Sequence, residues 1–438
     1  MKFAHIADSH LGAFSKNPTL KELNMRAFEM AIKKSVEEGV DFIIIAGDLF
    51  HNPLPDMDTV HHAVRILNYA KERGIRTYAV YGSHDFSAGT TSLLDVLAEA
   101  GVFIKATRYE IRGEKIRLLP VVDKRTGVKI VGVPGLTASM EVRYFKENVI
   151  DLDYLERLDG QKIFVFHTTI AELKPAYISD KNVVPISKFP KGFDYYAGGH
   201  LHEKIESNIN GSPVIYPGAL FGSNYSDLDI LSGKERGFYI VDNFKPRFVP
   251  INVCEFEKKI IDATGKSAKS VEDELLSFAS QNHEGRVVIL KVRGVLRSGR
   301  VADINFRKVR EKIMNTAIEV LLNTYSLSTE ERKTVRVPGS TPEEIEDRIF
   351  GEISIYGLEF TKNLFHVLRE EKKEGENRRD YESRIWRNVY PLLVNVIERK
   401  TEDKRHAVTE ERKIAEKKDL RERGANKKVK RASLFDFG

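Results

Sequence analysis

Four short polar motifs, each closing an apolar run, constrain this chain more than any other feature: Asp8-Ser9-His10, Gly47-Asp48, Gly82-Ser83-His84-Asp85 and Gly199-His200-Leu201-His202, with His167 between the last two. Phe42-Ile43-Ile44-Ile45-Ala46 is short and continuously apolar, which reads as a buried strand ended by a glycine turn. Phe3-Ala4-His5-Ile6-Ala7 leads into Asp8 in the same way. Asp8 and His10 lie two apart, as do His200 and His202, so each pair projects to one side if strand geometry persists. From Met1 to about Gly101 strands and helices alternate, the pattern of parallel strands with covering helices. One helix, near Asp58 to Arg73, has Val60, Ala63, Val64, Leu67 and Ala70 at helical spacing, a cap at Asp58 or Thr59 and a stop at Gly74. From Val102 to about Val249 short strands dominate, among them 115–119, 128–133, 163–166 and 238–241. The expected fold class is α/β, a two-sheet sandwich with its polar motifs on loops at one rim.

Carboxylates and imidazoles gathered at one rim are a ligand set for divalent metals, and two ions held about 3.5–4 Å apart need an anionic bridge to offset their repulsion. Asp48 is the natural bridge. With carboxylate and imidazole donors and no thiolate, the set favours Mn2+, Fe2+ or Zn2+. Such a pair deprotonates a water and spreads the charge that grows on an attacked phosphate. His84, beside a proposed ligand, can point at the leaving oxygen as a general acid or as an electrostatic clamp. His5, His61, His62, His283, His366 and His406 stand outside the motifs and are read as surface or hydrogen-bonded core residues. A single Asp-x-His or Gly-Asp arises by chance, whereas the whole set in this order does not.

The order Asp-x-His, Gly-Asp, Gly-x-His-Asp, His, Gly-His-x-His resembles the calcineurin-like metallophosphoesterase superfamily. Ala46-Gly47-Asp48-Leu49-Phe50-His51, Tyr216-Pro217-Gly218-Ala219-Leu220 and the run from Gly237 to Val249 are similar to the archaeal Mre-eleven family, which includes bacterial SbcD and acts in DNA double-strand-break repair. The close likeness runs from Met1 to about Ile251. It implies a calcineurin-like sandwich with a small α+β capping domain that helps to position DNA, and a C-terminal helical segment that docks on a Rad-fifty-type ATPase. It also implies two Mn2+ per subunit, one on Asp8, His10, Asp48 and His202 and the other on Asp48, Ser83, His167 and His200. His84 is the catalytic histidine by the same resemblance, and His51 lies near the phosphate. Ser83 stands where the superfamily has an asparagine; its hydroxyl is a shorter and weaker neutral donor, so the second metal is expected to be the looser one. The implied activity is a Mn2+-dependent 3'-5' exonuclease on double-stranded DNA ends and a single-strand or hairpin endonuclease. A homodimer is expected through the apolar positions Val60, Val64, Leu67, Leu93, Leu94 and Leu97. The alternatives are a stand-alone phosphatase or phosphodiesterase on the same metals, and a DNA-bridging scaffold whose metal site is weakened at Ser83.

The expected organisation is a nuclease domain over 1–252, a DNA-capping domain over 253–335, a helical ATPase-docking segment over 342–400 and a basic mobile tail over 401–438. Within the cap, strands near 287–292 and 318–322 alternate with helices near 271–279 and 303–317. Arg297, Arg300, Arg307 and Arg310 belong to its densest basic stretch, and phosphate contact is the role expected of them. Pro338-Gly339-Ser340-Thr341-Pro342 reads as a linker. Beyond it run three apolar stripes: Ile345, Ile349 and Ile353; Phe360, Leu364, Phe365 and Leu368; then Ile385, Trp386, Val389, Leu392 and Leu393. Short helices cannot bury such stripes alone, so Phe360, Leu364, Phe365, Trp386 and Val389 are the expected partner contacts. The formal net charge is only +6, which excludes a uniformly basic coat, and the tail holds 12 Lys and Arg against 8 Asp and Glu. Cys254 is the only cysteine, so a disulfide framework or a thiolate metal site within one chain is excluded. With no apolar segment long enough for a signal peptide or a membrane span, a soluble, cytoplasmic and nucleoid-associated protein is expected.

Overall fold

A computed structural model describes residues 1–86, 91–176, 178–329, 350, 358–370 and 380–394. The chain divides into two units, Met1–Arg332 and Lys333–Gly438.

In chain order the first unit carries β1 (Lys2–Ile6), β2 (Phe42–Ala46), β3 (Arg76–Val80), β4 (Ile104–Lys105), β5 (Tyr109–Arg112), β6 (Lys115–Leu118), β7 (Val121–Val122), β8 (Lys129–Val133) and β9 (Lys162–His167). There follow β10 (Tyr195–Gly199), β11 (Ile205–Ile209), β12 (Ser212–Tyr216), β13 (Gly237–Asp242) and β14 (Lys245–Pro250). Two six-stranded sheets result, in the orders β14-β13-β1-β2-β3-β4 and β11-β12-β10-β9-β8-β7, while β5 and β6 form a separate hairpin. The central strands are parallel in both sheets. Their registers, such as Phe3 opposite Phe42 and His167 opposite Gly199, align the strand ends. Loops that follow β1, β2, β3, β9 and β10 therefore leave at a common rim.

Alternation along each strand sorts the core into layers. Phe3, Phe42, Ile44 and Tyr78 meet Ile163, Val165, Tyr195 and Ile215 between the sheets. Ala4, Ile6, Ile43 and Ile45 face the other way, under α1 (Pro18–Glu37) and α2 (Met57–Lys71). Asp56, not Asp58 or Thr59, caps α2: its Oδ1 accepts the Thr59 N–H at 3.1 Å, and its Oδ2 pairs with Lys21 at 2.7 Å. Val60 and Leu67 of α2 and Leu94 and Leu97 of α3 (Leu93–Glu99) are buried in this monomer core, with Val64 and Leu93 packed against it. Val60, Leu67, Leu94 and Leu97 are thus used in the core of the chain itself, while Val64 and Leu93 stay partly exposed.

The second sheet is covered on its outer face by α4 (Glu141–Lys146) and α5 (Leu152–Glu156). Lys162, 3% exposed, sends its ammonium into the end of α5, where it donates to the carbonyls of Leu155, Glu156 and Leu158 at 3.0, 3.1 and 2.8 Å. Carbonyls at a helix C-terminus lack intrahelical partners, and a cation there satisfies both their lone pairs and the helix dipole. Lys162→Met should therefore destabilise the protein by about 2–4 kcal/mol, since buried acceptors lose a charged donor. A fall in the thermal midpoint read by circular dichroism checks this, and an unchanged midpoint would show that the three carbonyls find other partners.

After α6 (Tyr225–Leu231), the chain builds the smaller layer from β15 (Glu255–Asp262), α7 (Ala268–Phe278), β16 (Arg286–Leu296), α8 (Phe306–Met314), β17 (Glu319–Asn323) and β18 (Leu327–Thr329). Every pairing in this sheet is parallel, and its strands and helices alternate as expected of this small layer. It packs on the larger sandwich within the same unit: Asn17 Nδ2 donates to Glu319 at 2.8 Å, and Lys258 and Lys291 both reach Asp229, at 2.7 and 2.6 Å.

In the second unit Leu358–Leu368 is helical, and so is 380–394. The Tyr381 hydroxyl donates to the Glu370 carbonyl at 2.9 Å, and Arg384 pairs with the Glu370 carboxylate. Phe365 and Trp386 are 40% and 60% exposed, Phe360 and Leu364 are half-buried, and Val389 is buried. The stripe on Ile345, Ile349 and Ile353 and the tail from 401 lie outside the described residues. No described helix is long and apolar enough to cross a membrane.

Candidate metal centre

At the common rim, Asp8 and His10 follow β1, Asp48 follows β2, the Gly82–Asp85 turn follows β3, His167 ends β9, and His200 and His202 follow β10. Asp8, His10, Asp48 and His200 all have left-handed backbone, with φ of 50°, 44°, 49° and 89°. Side chains rarely adopt this region, and such conformations persist only where the surroundings over-determine them. Glycines make the close approach possible. A Cβ on Gly199 would lie 1.8 Å from the Ala46 carbonyl oxygen, one on Gly82 2.0 Å from Asp48 Oδ1, and one on Gly47 2.2 Å from His167 Nδ1.

Three groups of ligand atoms come together, each within 4.8 Å: Asp8, His10 and His202; Asp8, Asp48 and His167; and His10, His51 and His84. Asp48 Oδ2 lies 3.5 Å from His10 Nε2 and 3.3 Å from His167 Nε2, the place a bridging ligand must have. His10 Nε2 and His202 Nε2 face each other at 3.0 Å. Two imidazole nitrogens that close share one proton or one cation. His200 joins through its ring, 5.1 Å from that of His167, and its backbone N–H donates to both oxygens of Asp8, at 3.0 and 3.1 Å. Ser83 is half-buried in the turn, next to the Gly82 that packs on Asp48.

Electrostatics reflect this crowding. Burial pushes the Asp8 carboxyl up to about 6, against the charges of His167 and His202. Burial works the same way on Asp48, but His167 and His10 overcome it and hold its carboxyl well below the usual range. Burial would lower His167, yet the adjacent Asp48 carboxylate holds it up at about 10. His200 is pushed down to about 3 by burial and then by His167, and His10 also falls, chiefly by burial. Protons are held or excluded here by the forces that would favour a cation.

The residues fit a divalent ion. Among the described residues, His167 Nε2 and His10 Nδ1 are buried without a hydrogen-bond partner, the carboxylates are two, and the remaining donors are imidazoles. His167 donates its Nδ1–H to the Ala46 carbonyl at 2.8 Å, which turns Nε2 toward Asp48, where an ion would take the place of the Nε2 proton. His202 does the same through Nδ1 and Asp227 Oδ2 at 2.7 Å.

Asp227 is one of the residues that motif reading missed. It belongs to the first turn of α6, whose N-cap is Asn224, and it also accepts from the Ser223 N–H and hydroxyl at 2.8 and 2.6 Å. Asp85 stood in the third motif without a role assigned to it. Its buried carboxylate accepts the N–H groups of Gly82, Phe50 and Leu49 at 2.8, 3.1 and 3.4 Å, tying the loop after β2 to the turn that carries His84. The Asn-x-x-Asp cap signal was visible before α6, but nothing in the sequence linked it to His202. Asp227→Ala should weaken Mn2+ binding by about 10- to 100-fold, the usual effect of losing a partner that orients a ligand. Calorimetric titration tests this, and undiminished affinity would mean that His202 needs no orienting group.

His51 and His84 lie on the open side, with rings stacked at 5.3 Å and the His84 Nδ1–H donating to the His51 carbonyl at 2.8 Å. Of the four arginines expected to meet DNA, Arg300 pairs with Asp303 at 3.2 Å, Arg307 with Glu311 at 2.8 Å and Arg310 with Glu319 at 3.0 Å. Arg297 is exposed. These four residues sit in the smaller layer, not at the rim.

Residues 1–204 match the family model described as calcineurin-like phosphoesterase. Over 351 residues the chain is 27% identical to the DNA double-strand break repair protein Mre11 of Archaeoglobus fulgidus, covering 73% of this chain and 77% of that one. The protein of the same name from Methanopyrus kandleri is 31% identical over 286 residues, 63% of this chain and 61% of the relative. That of Saccharolobus solfataricus is 24% identical over 305 residues, 67% and 75%.

Proposed function

Since the chain belongs to the calcineurin-like phosphoesterases, in the family of the archaeal Mre11 repair proteins, we propose that it cleaves DNA with Mn2+ at double-strand breaks. It is a metal-dependent phosphodiesterase, and the finer activity proposed is 3'-5' exonuclease on duplex ends and endonuclease on single strands or hairpins. The observation that carries this reading is the Asp48 carboxylate, 3.5 Å from His10 and 3.3 Å from His167 with Asp8 beside it. Asp8, His10, Asp48 and His202 would hold one ion, and Asp48, Ser83, His167 and His200 the other. When bound, two divalent ions supply Lewis-acid stabilisation of the phosphate and lower the pKa of a water.

The chain itself contributes orientation and a proton. Asp227 and the Ala46 carbonyl hold the rings of His202 and His167 through Nδ1. The His51 carbonyl accepts the His84 Nδ1–H, and the imidazolium form of His84 would give its Nε2 proton to the leaving oxygen and remain as the Nδ1–H imidazole. A Mn2+ titration of cleavage on labelled duplex and hairpin DNA, beside p-nitrophenyl phosphate, tests the proposal. Metal-dependent cleavage of DNA with little monoester turnover supports it, and the reverse preference would make the protein a phosphatase.

The proposed partner is a Rad-fifty-type ATPase docked on Phe365 and Trp386. Aromatic anchors of this kind tend to dominate docking energy. A Trp386→Ala variant that co-purifies with the ATPase as well as the parent does would remove that surface from consideration. A homodimer through α2 and α3 would use their partly exposed positions Val64 and Leu93, and light scattering that finds only monomer at micromolar concentration would remove it.

A further inference from the structure

We propose that the outer edge of the β5–β6 hairpin, with the apolar groove beside it, docks an extended segment of a partner protein. That segment would add a strand to β5 and alternate apolar with acidic side chains. The inference goes beyond the nuclease reading and does not depend on it.

Hydrogen-bond register comes first. Gly113, with φ of 61°, opens a two-residue turn, and the strands pair with Arg112 opposite Lys115 and Ile111 opposite Ile116. The Leu119 N–H donates to the Arg108 carbonyl at 2.8 Å, so Arg108, Glu110 and Arg112 use their main-chain groups within the hairpin. Every second residue turns its N–H and C=O away. On β6 that outward set includes Ile116, whose N–H donates to the Val149 carbonyl at 2.8 Å and whose carbonyl accepts the Asp151 N–H at 2.9 Å. On β5 it is Tyr109 and Ile111, and among the described residues nothing bonds their main-chain groups.

Free edges are usually blunted by charge, proline or a covering element. Here the two residues with open main-chain groups are apolar, Tyr109 61% and Ile111 72% exposed. They border a groove of about 410 Å3 whose other walls include Leu118, Val133, Leu136 and Tyr144. A strand laid on β5 would place alternate side chains over this groove and the rest on the opposite face. Charge defines that opposite face. From Lys105 to Arg117 there are five Lys and Arg against two Glu, and Arg108 is exposed without an ion pair among the described residues. Acidic residues beside Arg108 and Arg112 make favourable cross-strand pairs, and basic ones would be repelled.

Fluorescence anisotropy of a short labelled peptide alternating valine with glutamate, titrated with the full chain, tests the proposal. Saturable binding is expected. A valine–lysine peptide should bind at least about 10-fold more weakly, with the difference narrowing as salt screens the charges. Ile111→Pro removes an outward N–H and leaves the hairpin's own bonds in place, the position at which an edge strand tolerates proline. It should weaken binding by about 10-fold, the weight of one hydrogen bond of about 1.4 kcal/mol, while Ile111→Val binds like the parent. A probe that needs no protein variant reads the same contact: N-methylation of one alternate set of peptide amides should abolish binding, and methylation of the other set should spare it. Tolerance of both methylated peptides would overturn the proposal, as would equal affinity for the two charge patterns or no binding of the glutamate peptide. A concentration-dependent dimer of the parent that Ile111→Pro abolishes would give the edge to a second copy and overturn it too.

Discussion

Asp48→Asn should reduce phosphodiester cleavage by about 10³-fold or more, the scale on which preorganised electrostatic groups act in catalysis. The carboxylate stands between two imidazoles, 3.5 Å from His10 Nε2 and 3.3 Å from His167 Nε2, and its other oxygen accepts the His84 N–H at 2.9 Å. An asparagine keeps the shape and the His84 hydrogen bond. It loses the negative charge that sustains His167 near 10 against burial, and it loses one of the two oxygen acceptors. The substitution removes one partner of the buried Asp48–His167 pair, so the metal-free fold should be less stable than the parent, and His167 should give up its proton. Hydrolysis of bis(p-nitrophenyl) phosphate with Mn2+, read beside the thermal midpoint and DNA affinity, separates these outcomes. Near-parental turnover in a folded Asp48→Asn protein would sink the assignment of the site.

The second large effect is expected at His84. Its ring is anchored at Nδ1 by the His51 carbonyl at 2.8 Å, and its centroid lies 4.8 Å from that of His10. Alanine at this position should lower kcat by about 10²–10⁴-fold, the usual reach of general acid–base catalysis, with metal binding retained. A substrate with an activated leaving group, such as a p-nitrophenyl ester, should be affected much less than DNA, because its leaving oxygen needs no proton. If calorimetry shows instead that Mn2+ affinity collapses, His84 is a ligand and the division of roles proposed here is wrong.

The strands and the ligand motifs were legible because two local signals coincide in them. Ile43, Ile44 and Ile45 form a continuous apolar run, and a glycine follows at once, so the strand and its exit announce themselves together. Asp8 and His10 lie past the end of β1 with left-handed backbone, so their convergence on one cluster comes from the loop and not from the strand alternation expected of them. Other features were hidden, each for a physical reason. Val60, Val64 and Leu67 have a periodicity that says one face is covered but not by what, and here a sheet of the same chain covers it. Asp56 caps α2 directly after Pro53 and Pro55, ahead of the first residue of the apolar periodicity. Asp227 is 25 residues from His202 in sequence and meets it only because α6 folds back to the rim. The pairing of Arg300, Arg307 and Arg310 with acidic neighbours could be suspected from Asp303 and Glu311, but Glu319 comes from β17, and such contacts depend on tertiary placement.

The left-handed backbone at Asp8, His10, Asp48 and His200 has a further meaning for how the protein takes up its ions. Four non-glycine residues in that region are held there by the sheets beneath them, at roughly 1–3 kcal/mol each. The ligands' backbone is thus set in its final geometry when the chain folds, before any ion arrives. Loading then resembles filling a rigid cage and does not resemble folding around a template. Amide hydrogens of β1, β2, β9 and β10 should exchange at nearly the same rate with and without Mn2+, with any slowing confined to the loops at the rim.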